Sequence, residues 1–269
     1  MTNSNLENII MSKDWNPELY LRFDKERTQP SIDLVNRIVI DNPEKIIDIG
    51  CGPGNSTQIL VDRWPGSEII GVDKSPAMIE KAKNDYPYQE WRILDLSTDN
   101  IEGKYDLVFS NATIQWIPNH DELLRNLSGL LTEKGVLAIQ IPLFWDMPLG
   151  KSIAKISEDN RWAAATKGVK ELFTIHDYSY YHDNLSGLFS SINLWITDYI
   201  YILDSQLSIL EMIRSTGLKP YIDRLESNFD RDEFERMVLK EIEKDYLLQK
   251  NGKVLFPFKR LFFIARLKN

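Results

Sequence analysis

Between Lys45 and Ile141 the chain alternates short apolar runs with helix-like stretches, five times over. The runs are Lys45–Ile49, Glu68–Val72, Gln89–Leu94, Tyr105–Ser110 and Val136–Ile141. Strands separated by helical patterns cannot close as hairpins. They need crossovers, and such crossovers are right-handed. The fold class expected is therefore α/β, a doubly wound, mostly parallel, Rossmann-like sheet with helices on both faces. Helices are predicted over Ser31–Ile40, Asn55–Arg63, Pro76–Lys83 and about Asp121–Leu131. Ser75 caps the third of these and Pro76 opens it.

After Pro142 the rhythm changes. Leu143–Ser190 is rich in aromatic residues and helical in part. Ile192–Leu203, Val254–Phe258 and Leu261–Leu267 read as strands at the far edge of the same sheet. Ser205–Ser215 and Arg231–Leu247 read as helices. We expect one domain over 1–269, with its core at about 31–142 plus strands 192–203 and 254–267. The stretches 143–190 and 205–250 are expected as a helical cap inserted near the late strands, at the mouth of the site.

A chain of 269 residues buries enough surface to fold without a disulfide or a metal. The single cysteine, Cys51, excludes an intrachain disulfide and fits a reducing cytoplasm. Met1–Asp14 shows no signal-peptide pattern, with Met11 a second candidate start, and no run of about 18 apolar residues points to a membrane span. A net charge of -8 supplies no global basic field for nucleic acid, so no nucleic-acid partner is expected.

The site-bearing motif is Asp48-Ile-Gly50-Cys-Gly52-Pro-Gly54-Asn-Ser56, between a strand and a helix. Glycine lets the backbone turn sharply and approach a ligand closely. A dinucleotide fingerprint requires G-x-G-x-x-G, whereas here the spacing is G-x-G-x-G and position 55 is Asn. The tighter loop suits a ligand without a pyrophosphate. Asp73 ends the second strand near the offset of a ribose-binding carboxylate, which can accept from both ribose hydroxyls. Asp95 ends the third, where its carboxylate can accept from an adenine amino group. Ligands of such sheets bind at the carboxyl ends of the strands.

Asp48–Ser56, Asp73, Asp95 and Asn111 together resemble the class I S-adenosylmethionine-dependent methyltransferases. A closer resemblance is to the trans-aconitate 2-methyltransferases. Its residues are Asp14–Leu21, Glu26-Arg27 with Pro30, Gly50–Thr57, Asp73 and Ser75–Ile79. It continues through Asn111-Ala-Thr-Ile-Gln-Trp116, Thr216–Pro220 and Arg260-Leu-Phe262. The resemblance implies S-adenosyl-L-methionine as cofactor, with Gly50, Cys51, Gly52 and Asn55 around its methionine part. Asp73 with Lys74 would meet the ribose, Asp95 with Leu96 the adenine, and Asn111 would lie beside the sulfonium. Arg27 and Gln29 would fold over the methionine carboxylate. Asn111, Gln115 and Trp116 would position the reacting groups. Arg260, Arg27, Trp145, Tyr180 and Tyr181 are expected to meet an organic acid. The chain departs from the family at Ile196 and Ile200 and at Leu143-Phe144. The acceptor therefore stays open between a trans-aconitate-like acid, another acid and a hydroxyl. A non-catalytic cofactor-binding protein is the remaining alternative.

Other chemistry-bearing residues read more plainly. Cys51 is a small residue in a tight turn, with no His near it in sequence. His120, His176 and His182 lack metal-ligand spacing and read as exposed or hydrogen-bonded histidines. The charges of Arg231–Lys244 alternate as on a solvated helix face.

Overall fold

The computed structural model describes residues 16–18 and 22–267. Asp14, Trp15 and Leu19–Leu21 of the N-terminal motif, and both candidate start methionines, lie outside the described residues. The chain divides into two compact units. One comprises the described residues up to Ile141, then His176–Trp195 and Leu261 onward. The other comprises Pro142–Ile175 and Ile196–Arg260.

The first unit is built on the sheet. Helix α1 (Asp24–Arg37) leads into β1 (Lys45–Ile49), α2 (Asn55–Arg63), β2 (Glu68–Asp73), α3 (Pro76–Asp85) and β3 (Glu90–Ile93). Then come β4 (Tyr105–Asn111), α4 (His120–Gly129) and β5 (Leu131–Pro142). The sheet has seven strands in the order β3-β2-β1-β4-β5-β7-β6, the last two being β6 (Phe189–Leu203) and β7 (Val254–Leu267). The pairs β1–β2, β1–β4, β2–β3 and β4–β5 are parallel, as a doubly wound α/β fold requires. Ile46, Ile47 and Ile49 of β1, and Leu107, Val108 and Phe109 of β4, are buried. Continuous apolar runs are what strands covered on both faces need.

The structure differs from the sequence reading at several boundaries. Helix α1 begins at Asp24, seven residues before the expected start at Ser31, and carries Pro30 inside it. Hydrogen bonds from Thr28 and Asn55 to Asp24 Oδ1 hold its first turn. Strand β5 begins at Leu131, five residues early, because the pairing shifts register between Tyr105↔Leu131 and Leu107↔Val136 and hides the strand's first part. The two late runs expected as separate strands form one continuous β7.

The second unit contains α5 (Pro148–Ser157), α7 (Gln206–Arg214), α8 (Lys219–Ile222) and α9 (Asn228–Ile242). Helix α6 (Tyr178–Leu188) belongs to the first unit. Ser205 and Ser227 cap α7 and α9. Leu149 and Ile153 of α5, Ile209 and Ile213 of α7, and Phe234 and Val238 of α9 are buried. Leu143 and Phe144, two of the departures from the family pattern, are buried as well. The Phe144 ring stacks on Phe173 and fills the space where a Cβ on Gly217 would lie. Ile196 and Ile200 are 43% and 53% exposed.

Candidate cofactor site

Register brings the sequence motifs together. Ile49 pairs with Val72, so the loop after β1 and Asp73 emerge side by side. Asp73 pairs with Ile93, which places Asp95 just beyond. Asp48 pairs with Phe109, which brings Asn111 alongside Gly50. The sheet order runs from β1 to β2 and β3 on one side and to β4 and β5 on the other. The glycine loop therefore stands at the switch point, the binding place of such sheets.

The loop is held from beneath and from both sides. The N–H groups of Gly50 and Cys51 donate to the Val72 carbonyl at 2.7 and 3.0 Å. Gly52 N–H donates to Asp73 Oδ2 at 2.9 Å, and Ser75 N–H to Asp73 Oδ1 at 2.8 Å. One carboxylate thus fixes the loop and the start of α3 together. Gly50, Gly52 and Gly54 have φ of 71°, 54° and 96°, values that favour glycine. Within the turn, the φ of Gly54 and the rings of half-buried Tyr86 and buried Trp91 leave no room for a side chain there.

Asp48 lies under the loop with no solvent exposure. Ser56 and Thr57 both donate to its Oδ2 at 2.6 Å, while its Oδ1 has no hydrogen-bond partner among the described residues. Burial pushes its pKa up to about 6, against the pull of those two hydroxyls. Burial also pushes the Cys51 thiol well up, so Cys51 is a small buried residue and not an activated nucleophile.

On the other flank, Asn111 leads into a turn in which Ala112 takes φ 54°. Ala112 N–H donates to Gln140 O, and Thr113 Oγ donates to Gly50 O at 3.2 Å. Gln115 is buried, with Nε2 donating to Ala112 O at 2.6 Å. Trp116 ends the short 3-10 turn Ile114–Trp116 and is half-buried. Asn55 donates to Asp24 Oδ1 at 2.5 Å and ties α1 to the start of α2. Arg27 is buried on α1, whereas Gln29 is exposed and donates to Asp33 of its own helix.

Asp95 and its neighbours are more open. Asp95 Oδ1 accepts from Ser97 N–H, which holds its pKa below the usual carboxylate value; Leu96 is half-buried and Lys74 exposed. Tyr180 donates to Asp121 and stacks on His176 at 3.6 Å. Burial and that carboxylate push its phenol up to about 12. Tyr181, expected to meet the acid, is wholly enclosed, and its hydroxyl lies 2.7 Å from His120 Nδ1. In the second unit Trp145 meets Phe144 and Phe173 edge to face, and Lys170 lies over its ring. Arg260 is 4% exposed, with its guanidinium 4.4 Å from the Phe258 ring centroid. Sequence reasoning gave no role to Thr113 or Asp24. Thr113 stood inside a quoted motif, but its bond to Gly50 spans 63 residues and leaves no local signal.

Two observations fit S-adenosylmethionine to this place. A Cβ added at Gly52 would meet nothing within 4 Å, so the loop borders open space where its backbone is bare. The buried Oδ1 atoms of Asp48 and Asn111, on the strands that lead to this place, have no hydrogen-bond partner among the described residues, which suits a cationic group nearby. Fold and loop define a class I S-adenosylmethionine-dependent methyltransferase.

Known proteins agree with this class. A family described as "Methyltransferase domain" matches residues 47–137. Trans-aconitate 2-methyltransferases from Shigella dysenteriae and Escherichia coli are each 37% identical to this chain over 253 residues, covering 94% of it and 98% of theirs. Among solved structures, the YcgJ protein of a Bacillus species superposes with a TM-score of 0.58 at 13% identity, over 90% of this chain and 99% of its own. An O-methyltransferase of Brevibacillus brevis, in complex with S-adenosyl-L-homocysteine, superposes with a TM-score of 0.50 at 16% identity, over 93% and 75%. The chain belongs to the trans-aconitate 2-methyltransferase family.

The purified chain is expected to bind S-adenosylmethionine and S-adenosylhomocysteine but not NAD, because the loop lacks the pyrophosphate spacing. Calorimetry with the three ligands checks this. Tight NAD binding without binding of the other two would overturn the assignment.

Proposed function

We propose that this protein transfers a methyl group to a carboxylate oxygen of a small organic acid of the trans-aconitate type. The observation that carries the reading is the near full-length relation to trans-aconitate 2-methyltransferases, at 37% identity over 94% of the chain. When bound, S-adenosylmethionine supplies a methyl group made electrophilic by positive sulfur. Gly50, Cys51, Gly52 and Asn55 would hold its methionine part, with Arg27 and Gln29 toward the methionine carboxylate. Asp73 with Lys74 would take the ribose, and Asp95 with Leu96 the adenine.

The chain's own task is positioning. The acid's ionised carboxylate would itself be the nucleophile toward that methyl group, so the chain's residues need supply no base and move no proton. Holding oxygen, carbon and sulfur in line contributes roughly 7–11 kcal/mol in favourable cases. Asn111, Gln115 and Trp116 serve this alignment. Arg260 and Arg27 are the cations assigned to the acid, since a guanidinium fork matches a carboxylate. Trp145 and Tyr180 complete the proposed acceptor set, whereas Tyr181 is wholly enclosed against His120. A cytoplasmic setting and the absence of nucleic-acid substrates belong to the same reading.

The test is a screen of di- and tricarboxylic acids, with trans-aconitate among them, using methyl-labelled donor. Label appearing in a base-labile ester supports the reading. Label confined to hydroxyl acceptors, or to none, overturns it. Because the acceptor is already ionised, turnover at saturating donor should be flat from roughly pH 6.5 to 8. A bell-shaped profile set by a group of the protein would contradict an unassisted transfer.

A further inference from the structure

His120 opens α4 and is completely buried. Its Nε2 lies 2.8 Å from the Ile114 carbonyl oxygen, and its Nδ1 lies 2.7 Å from the Tyr181 hydroxyl. A carbonyl only accepts, so Nε2 carries the hydrogen. Burial pushes the imidazole pKa down, which keeps the ring neutral at pH 7. Nδ1 is then an acceptor, and Tyr181 donates to it. The tautomer is fixed by its two partners. Tyr181 is itself fully enclosed and packs against Phe263 of β7 with ring centroids 5.5 Å apart.

The segment that His120 grips is the one that closes on the glycine loop. Ile114 follows Thr113, whose hydroxyl donates to Gly50 O. The same turn begins at Asn111 and contains Gln115. Backbone bonds inside it are few and short in range: Trp116 N–H to Thr113 O and Ile117 N–H to Ile114 O. Ala112 holds φ 54° there, an arrangement that persists only where surroundings enforce it. His120 contributes that enforcement from outside the turn.

We propose that His120 is a positioning residue for the cofactor site, and that Tyr181 acts through it: the Tyr181–His120–Ile114 chain holds the turn after β4 against Gly50. The inference rests on the methyltransferase reading of that site. It also gives Tyr181 a role other than contact with the acid.

The test uses the full chain with S-adenosylhomocysteine as probe, so no acceptor need be known. In His120→Asn the amide can reach Tyr181 but not Ile114. In His120→Gln a donor returns near the position of Nε2. Affinity for S-adenosylhomocysteine is expected to fall about tenfold in His120→Asn and to recover by at least threefold in His120→Gln. Tyr181→Phe keeps the ring and loses only the hydroxyl, and should weaken binding about threefold. If His120→Asn does not fold, Tyr181→Phe decides. Lowered melting temperature with wild-type affinity in both His120→Asn and Tyr181→Phe would make the chain merely structural and overturn the proposal. Failure of the wild-type protein to bind the probe would instead remove the site reading on which it rests.

Discussion

Replacing Asp73 by alanine is expected to weaken S-adenosylhomocysteine binding by roughly ten- to a hundredfold. A hydrogen bond to a charged acceptor contributes about 1.5–3 kcal/mol, and each 1.4 kcal/mol is about tenfold in affinity. Asp73 stands to lose on two accounts. Its carboxylate is the proposed ribose acceptor, and it also holds Gly52 N–H and Ser75 N–H. Removing it unties Gly52 while the bonds of Gly50 and Cys51 to Val72 remain, and it deletes the proposed ligand contact as well. Asp73→Asn separates these accounts, since an amide oxygen still accepts from one N–H but the charge is gone. Calorimetry on folded variants reads the outcome. A dissociation constant unchanged in Asp73→Ala would take Asp73 out of the site.

Gly50→Ala should be more damaging to the fold. The residue has φ 71°, and the added Cβ would lie 2.0 Å from Thr113 Oγ1 and 2.1 Å from its Cγ2. Left-handed backbone costs a non-glycine residue roughly 1–2 kcal/mol. Overpacking at this depth adds roughly 1–3 kcal/mol. Thr113 cannot swing away freely, since its hydroxyl is bonded to Gly50 O and Asn111 O. A fall in melting temperature of about 5–15 °C is expected for a chain of this size, with weakened cofactor binding. Gly52→Ala is the control: it shares a positive φ of 54° but meets no atom within 4 Å. It should cost less stability while still impeding the cofactor. Equal melting temperatures for wild type and Gly50→Ala would show that the turn after β4 does not press on the loop.

What the sequence made legible follows from range. The glycine loop, Asp73 and Asp95 each sit next to the strand that positions them, so strand ends and turn residues announced them. Ser75 is an equally local case, and its side chain accepts from Met78 N–H as a cap should. The contacts that secure the site are of longer range and carry no such mark. Asn55 meets Asp24 across 31 residues, Thr113 meets Gly50 across 63, and His120 meets Tyr181 across 61. The first turns of α1, Asp24–Gln29, contain no apolar residue and so show no helical spacing, which is why the expected helix begins only at Ser31. Tyr181 was assigned by composition, where an aromatic side chain in a rich stretch looks the same whether it faces an acid or a histidine.

Asp48 gives the unliganded protein an internal debt. Raising a carboxyl from 3.8 to about 6 corresponds to about 3 kcal/mol held against the ionised fold. The folded chain binds this proton more tightly than the unfolded chain, so the penalty is absent at acid pH and grows as pH rises from about 4 through about 6. At neutral pH the fold therefore carries a desolvated negative charge directly under the loop. A positive ligand over Gly50 offsets part of that penalty, so occupancy and folding become thermodynamically linked. Local frustration of this kind makes the protein a reporter of its own ligand: its resistance to heat at neutral pH should track the supply of the methyl donor.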